Sequence, residues 1–322
     1  MTEAELKEKI EAYTRSFHRT NVKICRDTTQ FMDISAEDVL ELEGRYYFIQ
    51  GEAVEGRFGL DEEPKFWVKK AIDLEDGSKK ILKLVFYESF TMSLGDFSIE
   101  CFRSPRKESR VLKKIGNDPD FMHGCTLTDA VGNPVRVIDK ILGSPYYNMI
   151  NNLKADHETY FYEHFPAIFE NIIGCIRAIG RLHHIGEIHG DIRNDHIFID
   201  RESERYRWID FDYTYEWSEN RFGVDMFGLG NILLFTVGNG FHNLKEMSAC
   251  APEGMKLRVC LEPRDLSLFF KHRIINLKKL FPYIPESLNH ILMHFCVGAE
   301  VFYENVQELL NDIMLCKTDL NL

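Results

Sequence analysis

The 322 residues carry 39 Lys and Arg against 51 Asp and Glu, a formal charge of −12, with 44% hydrophobic and 28% charged residues. Such a chain can bury a sizeable core in one domain of two lobes or in two small domains, and its acidity argues against nonspecific nucleic-acid binding, which needs a basic face. No apolar run approaches the roughly 18 residues of a membrane span, the N-terminus is acidic rather than basic then apolar, and eight scattered cysteines lack a C-x-x-C pair, which together imply a cytoplasmic protein with reduced thiols and no signal peptide.

Residues 2–18 set Leu6, Ile10, Tyr13 and Phe17 at helical spacing, with Thr2 and Glu5 available as a capping box. Packing of this helix within the chain is favoured over a partner-binding role. From Val39 to Phe86 the pattern changes to strands at Tyr46–Val54, Lys65–Leu74 and Lys80–Phe86, separated by Gly56-Arg57-Phe58-Gly59 and by Glu75-Asp76-Gly77-Ser78. The first turn, with Gly51, Gly56 and Gly59, suits backbone N–H contacts to phosphates, but its spacing is not G-x-G-x-x-G and an ordinary hairpin turn fits equally. Lys83 lies inside the apolar run Ile81–Val85, where an ammonium costs free energy to bury unless paired, although alternation with Leu82 and Leu84 also allows a solvent-facing lysine. A helix capped by Ser104 and opened by Pro105 carries Glu108, with Glu100 as the competing acidic partner for Lys83. Strands near Cys125–Thr128 and Val135–Ile141 follow, joined by Val131-Gly132-Asn133-Pro134.

The second half reads mainly as helix from Tyr146, with Pro166 at a helix start and Ile168, Phe169, Ile172, Ile173, Ile176, Ile179 and Leu182 in one stripe. His183 and His184 read as structural, since neighbouring helix positions diverge. His189–Asp212 then holds two short apolar runs, Ile197–Ile199 and Tyr206–Ile209, around a polar turn. Asp191 precedes the first run and Asp210 follows the second, so a hairpin would bring both carboxylates to one small volume, an arrangement suited to a divalent cation and a hydroxyl that loses its proton. Asp225–Leu234 is apolar on nearly every side and reads as a buried helix. Residues 241–283 show no regular pattern, and Ser287–Cys296 and Asn305–Asp312 read as helices.

His189-Gly190-Asp191 and Asp210-Phe211-Asp212, 210 − 191 = 19 residues apart, resemble the catalytic loop and metal motif of the protein kinase-like superfamily. The approach Leu182–His189 and the buried helix from Asp225 resemble that family too, and the likeness runs from about residue 45 to 315. It implies an α+β, bilobal protein kinase-like fold: a helical extension over 1–38, a small antiparallel β-sheet lobe over 39–141 and a mainly helical large lobe over 142–322, with Ile138–Leu142 as an adenine-facing hinge. It further implies ATP with Mg²⁺, or Mn²⁺, as cofactors. Lys83, positioned by Glu108, would hold the α- and β-phosphates beneath Gly56 and Gly59, and Asp210 with His196 would bind metal. Asp191 would take or orient the hydroxyl proton, with Arg193 near the γ-phosphate and Asp225 anchoring the loop backbone. Three departures bear on the branch. His196 stands where most members have asparagine, as in the bacterial lipopolysaccharide heptose kinases; Gly190 replaces an arginine; and 225 − 212 = 13 residues leave no room for a long activation segment. The chain thus looks similar to the lipopolysaccharide-core and aminoglycoside-type kinases, a phosphotransferase acting on a hydroxyl of a protein Ser/Thr or a small molecule such as a sugar. The alternative is a pseudokinase, a nucleotide-binding regulatory module without transfer.

Overall fold

Alternation with period two decides how the first half of the chain is covered, because successive strand residues face opposite sides of a sheet. In the computed structural model, residues 1–14, 17–55, 63–94, 97–217, 219–245 and 260–320 are described. The chain divides into two units: Met1–Glu88, Arg103–Asp118 and Met122–Ile141 form one, and Ser89–Phe102, Pro119–Phe121 and Leu142–Leu322 the other. The α+β class expected from the sequence is the class observed: an antiparallel sheet dominates the first unit and helices dominate the second.

The first unit begins with helix α1 (Glu3–Tyr13), whose expected capping box is present: Thr2 N donates to Glu5 Oε2 at 2.7 Å and Glu5 N to Thr2 Oγ1 at 3.3 Å. Strands β1 (Ile24–Cys25), β2 (Val39–Leu42), β3 (Arg45–Glu55), β4 (Glu63–Asp73) and β5 (Lys79–Lys83) follow. The chain then makes β6 (Ser89–Leu94) and β7 (Phe97–Arg103), helix α2 (Pro105–Ile115), β8 (Gly124–Thr128) and β9 (Pro134–Asp139). The sheet order is β1-β2-β3-β4-β5-β9-β8, parallel only between β1 and β2. Leu40, Leu42, Tyr47, Ile49, Ala71, Leu82, Val135 and Val137 pack on one face. The alternate residues Val39, Tyr46 and Phe48 face the other way, where Leu6 and Ile10 of α1 cover them together with Leu74.

Hairpin β6–β7 is absent from the sequence reading, which expects a helix to follow the third strand directly. Its residues leave the first unit and pair in a second sheet, of order β13-β7-β6, where β13 (Tyr213–Tyr215) is a three-residue strand just after the Asp210-Phe211-Asp212 motif. The alternation in Ser89-Phe90-Thr91-Met92-Ser93 is the available signal, and Phe90 lies edge-on to Tyr213 at 5.4 Å.

In the second unit, β10 (Gly143–Pro145) leads into α3 (Tyr146–Asn152), and a π-helical turn at Tyr160–His164 precedes α4 (Phe165–His184). Pro166 lacks the N–H that a regular helix would use there, which suits a widened turn. The predicted hairpin is β11 (Ile197–Asp200) with β12 (Tyr206–Trp208), Ile197 opposite Trp208, and β13 is Tyr213–Tyr215. Trp208 is fully buried, its Nε1 donating to Cys175 O of α4 at 2.9 Å. Helix α5 (Gly223–Val237) is buried nearly all round, as its composition requires, and α6 (Glu286–Met293) and α7 (Val306–Asp319) close the unit. Gly228 of α5 is a close approach: a Cβ there would lie 2.6 Å from Ile192 Cβ, the residue after Asp191. Part of the irregular 241–283 stretch, residues 246–259, lies outside the described residues. Among the described residues no helix is long and apolar enough to cross a membrane.

Candidate functional site

The sequence-flagged residues fall into two groups, one in each unit. In the first unit, the end of β5 presents Lys83 to α2, where Nζ donates to Glu108 Oε1 at 2.7 Å. Ser104 caps α2 through the Lys107 N–H at 3.3 Å with Pro105 in its first turn, so the helix start that the sequence dictates also fixes Glu108. Glu108 is fully buried while Glu100 is exposed on β7, which decides between the two candidates. Gly56 and Gly59 lie outside the described residues.

Arg136 of β9, missed by the sequence reading, joins this pair. Register sets it directly opposite Lys83, a like-charge cross-strand pairing that would be unfavourable alone. Glu108 resolves it: Arg136 Nε donates to Oε2 at 3.1 Å. The signal was available, since Arg136 stands between Val135 and Val137 as Lys83 stands between Leu82 and Leu84.

In the second unit, Asp225 at the start of α5 organises the His189–Asp191 loop. Its Oδ2 accepts from His189 N at 2.7 Å and from His183 Nε2 at 2.9 Å, and its Oδ1 from Gly190 N at 2.8 Å. Burial, the largest influence, would raise this carboxyl, but the His183 hydrogen bond, the neighbouring imidazoles and the Gly190 N–H hold it below the usual range. Gly190 sits at φ 86°, left-handed backbone that favours glycine. His183 thus has the structural role expected of it.

His196 lies between the two carboxylates that the hairpin was expected to bring together. Its Nδ1 is 2.8 Å from the Asp191 carbonyl and 3.5 Å from Asp191 Oδ2, and its Nε2 is 3.6 Å from Asp210 Oδ2. A carbonyl only accepts, so Nδ1 carries a hydrogen, and a neutral ring then turns the Nε2 lone pair toward Asp210. Two Lewis bases so placed fit a shared cation, since ligands at right angles on an octahedral Mg²⁺ stand about 3 Å apart. Carboxylate oxygen suits Mg²⁺ and imidazole suits a softer ion, so the donor set admits Mn²⁺ as well. Asp210 is held at φ 70°, a conformation costing about 1 kcal/mol or more for a non-glycine residue, which marks it as constrained by its surroundings.

Burial pushes the Asp191 carboxyl up, and the charges of Asp210 and Asp195 push the same way against His196 and Arg193. Arg193 is engaged by Asp195, through Nε to Oδ1 at 3.0 Å and through Nη2 to Oδ2, while its Nη1 lies 3.9 Å from Asp191 Oδ2. Asp195 was not flagged in the sequence; burial would raise its carboxyl, but His196 and Arg193 hold it down. Cys101 of β7 is pushed up to about 11, chiefly by burial and to a lesser degree by the charge of Asp191.

No protein-family model matches the chain, and no curated protein matches it. Among solved structures, the crystal structure of Rad53 1-466 in complex with AMP-PNP aligns with a TM-score of 0.48 and 14% identity. The match covers 81% of this chain and 63% of that one, so the chain spans under two thirds of its length.

Proposed function

We propose that the chain is an ATP-dependent phosphotransferase acting on a hydroxyl acceptor. The observation that carries this reading is the single imidazole of His196 within 3.6 Å of both Asp191 and Asp210, two carboxylates that the sequence separates by a hairpin. In this reading Asp191 accepts or orients the acceptor's proton, and its raised pKa improves it as a base near neutral pH. Arg193, braced by Asp195, offsets negative charge beside Asp191. Lys83, held by Glu108, contacts the nucleotide's phosphates, and Asp210 with His196 holds Mg²⁺ or Mn²⁺. A divalent cation there would neutralise charge on the transferring phosphoryl group. The short segment between Asp212 and Asp225, already paired in part with β7, supports a small-molecule acceptor over an extended peptide.

The test is Asp191→Asn with γ-labelled ATP. Loss of a positioned base should cut label release or transfer by roughly 100-fold or more while nucleotide affinity changes little. Turnover equal to wild type would sink the assignment. The second reading, a nucleotide-binding module without transfer, is favoured by one feature: His196 stands where most members of the kinase-like superfamily have a metal-binding asparagine. It predicts nucleotide binding that is indifferent to Mg²⁺ and to Mn²⁺, with no loss of the γ-phosphate.

A further inference from the structure

Glu108 is held by two cations, and the phosphate-binding role proposed for Lys83 accounts for only one. Arg136 is locked in place independently of Glu108, its Nη2 donating to Leu84 O at 3.1 Å and its Nη1 to Pro134 O at 3.3 Å. Arg136 and Glu108 are both fully buried. Building on the nucleotide-binding reading, we propose that Arg136 is a positioning residue for the phosphate contact: it keeps Glu108 ion-paired when the Lys83 ammonium turns to an anionic ligand.

The reason lies in the cost of an unpaired buried charge. Were Lys83 the sole partner of Glu108, each step of the ammonium toward a phosphate would strip a fully buried carboxylate of its only cation, among the most unfavourable changes a protein interior can undergo. A guanidinium does not lose its proton, and its rigid fork serves Glu108 and two carbonyls at once. Arg136 acts through Glu108 and Lys83 and need not touch the nucleotide.

The test titrates the full chain, in Mg²⁺, with the fluorescent probes MANT-ATP and MANT-adenosine. R136Q keeps polar contacts at the position but removes its charge. It should weaken MANT-ATP about tenfold, the loss expected for one charge-assisted contact, and leave MANT-adenosine within about twofold. R136K, which restores the charge beside Glu108, should bind MANT-ATP within about threefold of wild type. Equal MANT-ATP affinity in R136Q and wild type overturns the proposal. So does a parallel loss of both probes, the mark of a merely structural arginine, and so does an R136K variant as weak as R136Q. Wild-type protein that binds neither probe overturns the nucleotide reading itself, an outcome distinct from the other three.

Discussion

Asp225 fixes the backbone that leads into Asp191. Asp225 takes both successive N–H groups of His189 and Gly190, and the His183 ring on α4 holds its second lone pair in line. Asp225→Asn keeps the shape but turns one acceptor into a donor facing N–H groups, and it leaves those buried donors short of a partner. A stability loss of about 2–4 kcal/mol in urea denaturation is expected, with turnover falling further than the folded fraction because the loop before Asp191 loses its anchor. Unchanged turnover in the folded variant would show that the loop backbone holds itself. Gly228 acts from the opposite side by letting α5 close on Ile192, which explains a glycine inside a buried helix where propensity alone opposes one.

At the level of elements, α1 is part of the first unit's packing rather than an appendage to it. Leu6 and Ile10 are fully buried against Val39, Tyr46 and Phe48, and Lys9 Nζ donates to Leu74 O at 2.7 Å. Ile10→Ala should therefore cost about 2–4 kcal/mol, read as a lower urea midpoint with the slope unchanged; a midpoint equal to wild type would make α1 separable. Elements whose signal is local were legible in the sequence: the Thr2 and Ser104 caps, the alternation of β3 and β4, the hairpin β11–β12 and the apolar α5. What escaped depends on contacts distant in sequence. Strand β13 has three residues, too few for a period to show, and it joins β7 across more than a hundred residues, whereas β6 and β7 form a local hairpin whose alternation was legible. Arg136 escaped for a different reason. The same rule that flags Lys83 applies to it, but a charged residue between two valines also fits a strand with one solvated face, so alternation alone does not bury it. Conversely, Arg193 was legible as a cation near Asp191, whereas its bracing by Asp195 needed coordinates.

For the whole molecule, acid should unfold this protein through a small set of named carboxylates. Burial alone would raise Asp38, Asp129, Asp225 and Asp265, but each is held below its ordinary value by donors. Asp38 takes Lys23, Arg19 and the Ser35 N–H; Asp129 takes the N–H groups of Thr28, Val131 and Asn133 as well as two side chains. Asp265 takes Glu262 N, Asn276 and Lys279. A carboxyl whose native pKa is depressed binds its proton more readily in the unfolded chain, so its stabilisation is present above the unfolded value of about 4 and is lost as pH falls through the native one. Asp191 has the opposite sign, since its raised native pKa gives a contribution present at low pH and lost as pH rises, but it is one group against those four and Asp195. The formal charge of −12 adds a separate, diffuse term: the first protons taken up relieve self-repulsion and so favour the fold slightly at mildly acidic pH. The urea midpoint should accordingly hold or rise a little from pH 8 to about 5 and then fall steeply below about 4. Asp129→Asn tests the assignment, because an amide cannot titrate. Its midpoint should start lower at neutral pH and approach that of wild type toward pH 3, where the wild-type carboxyl is losing its advantage. A constant gap between the two curves across that range would mean that Asp129 stabilises the fold through hydrogen bonds that do not depend on its charge.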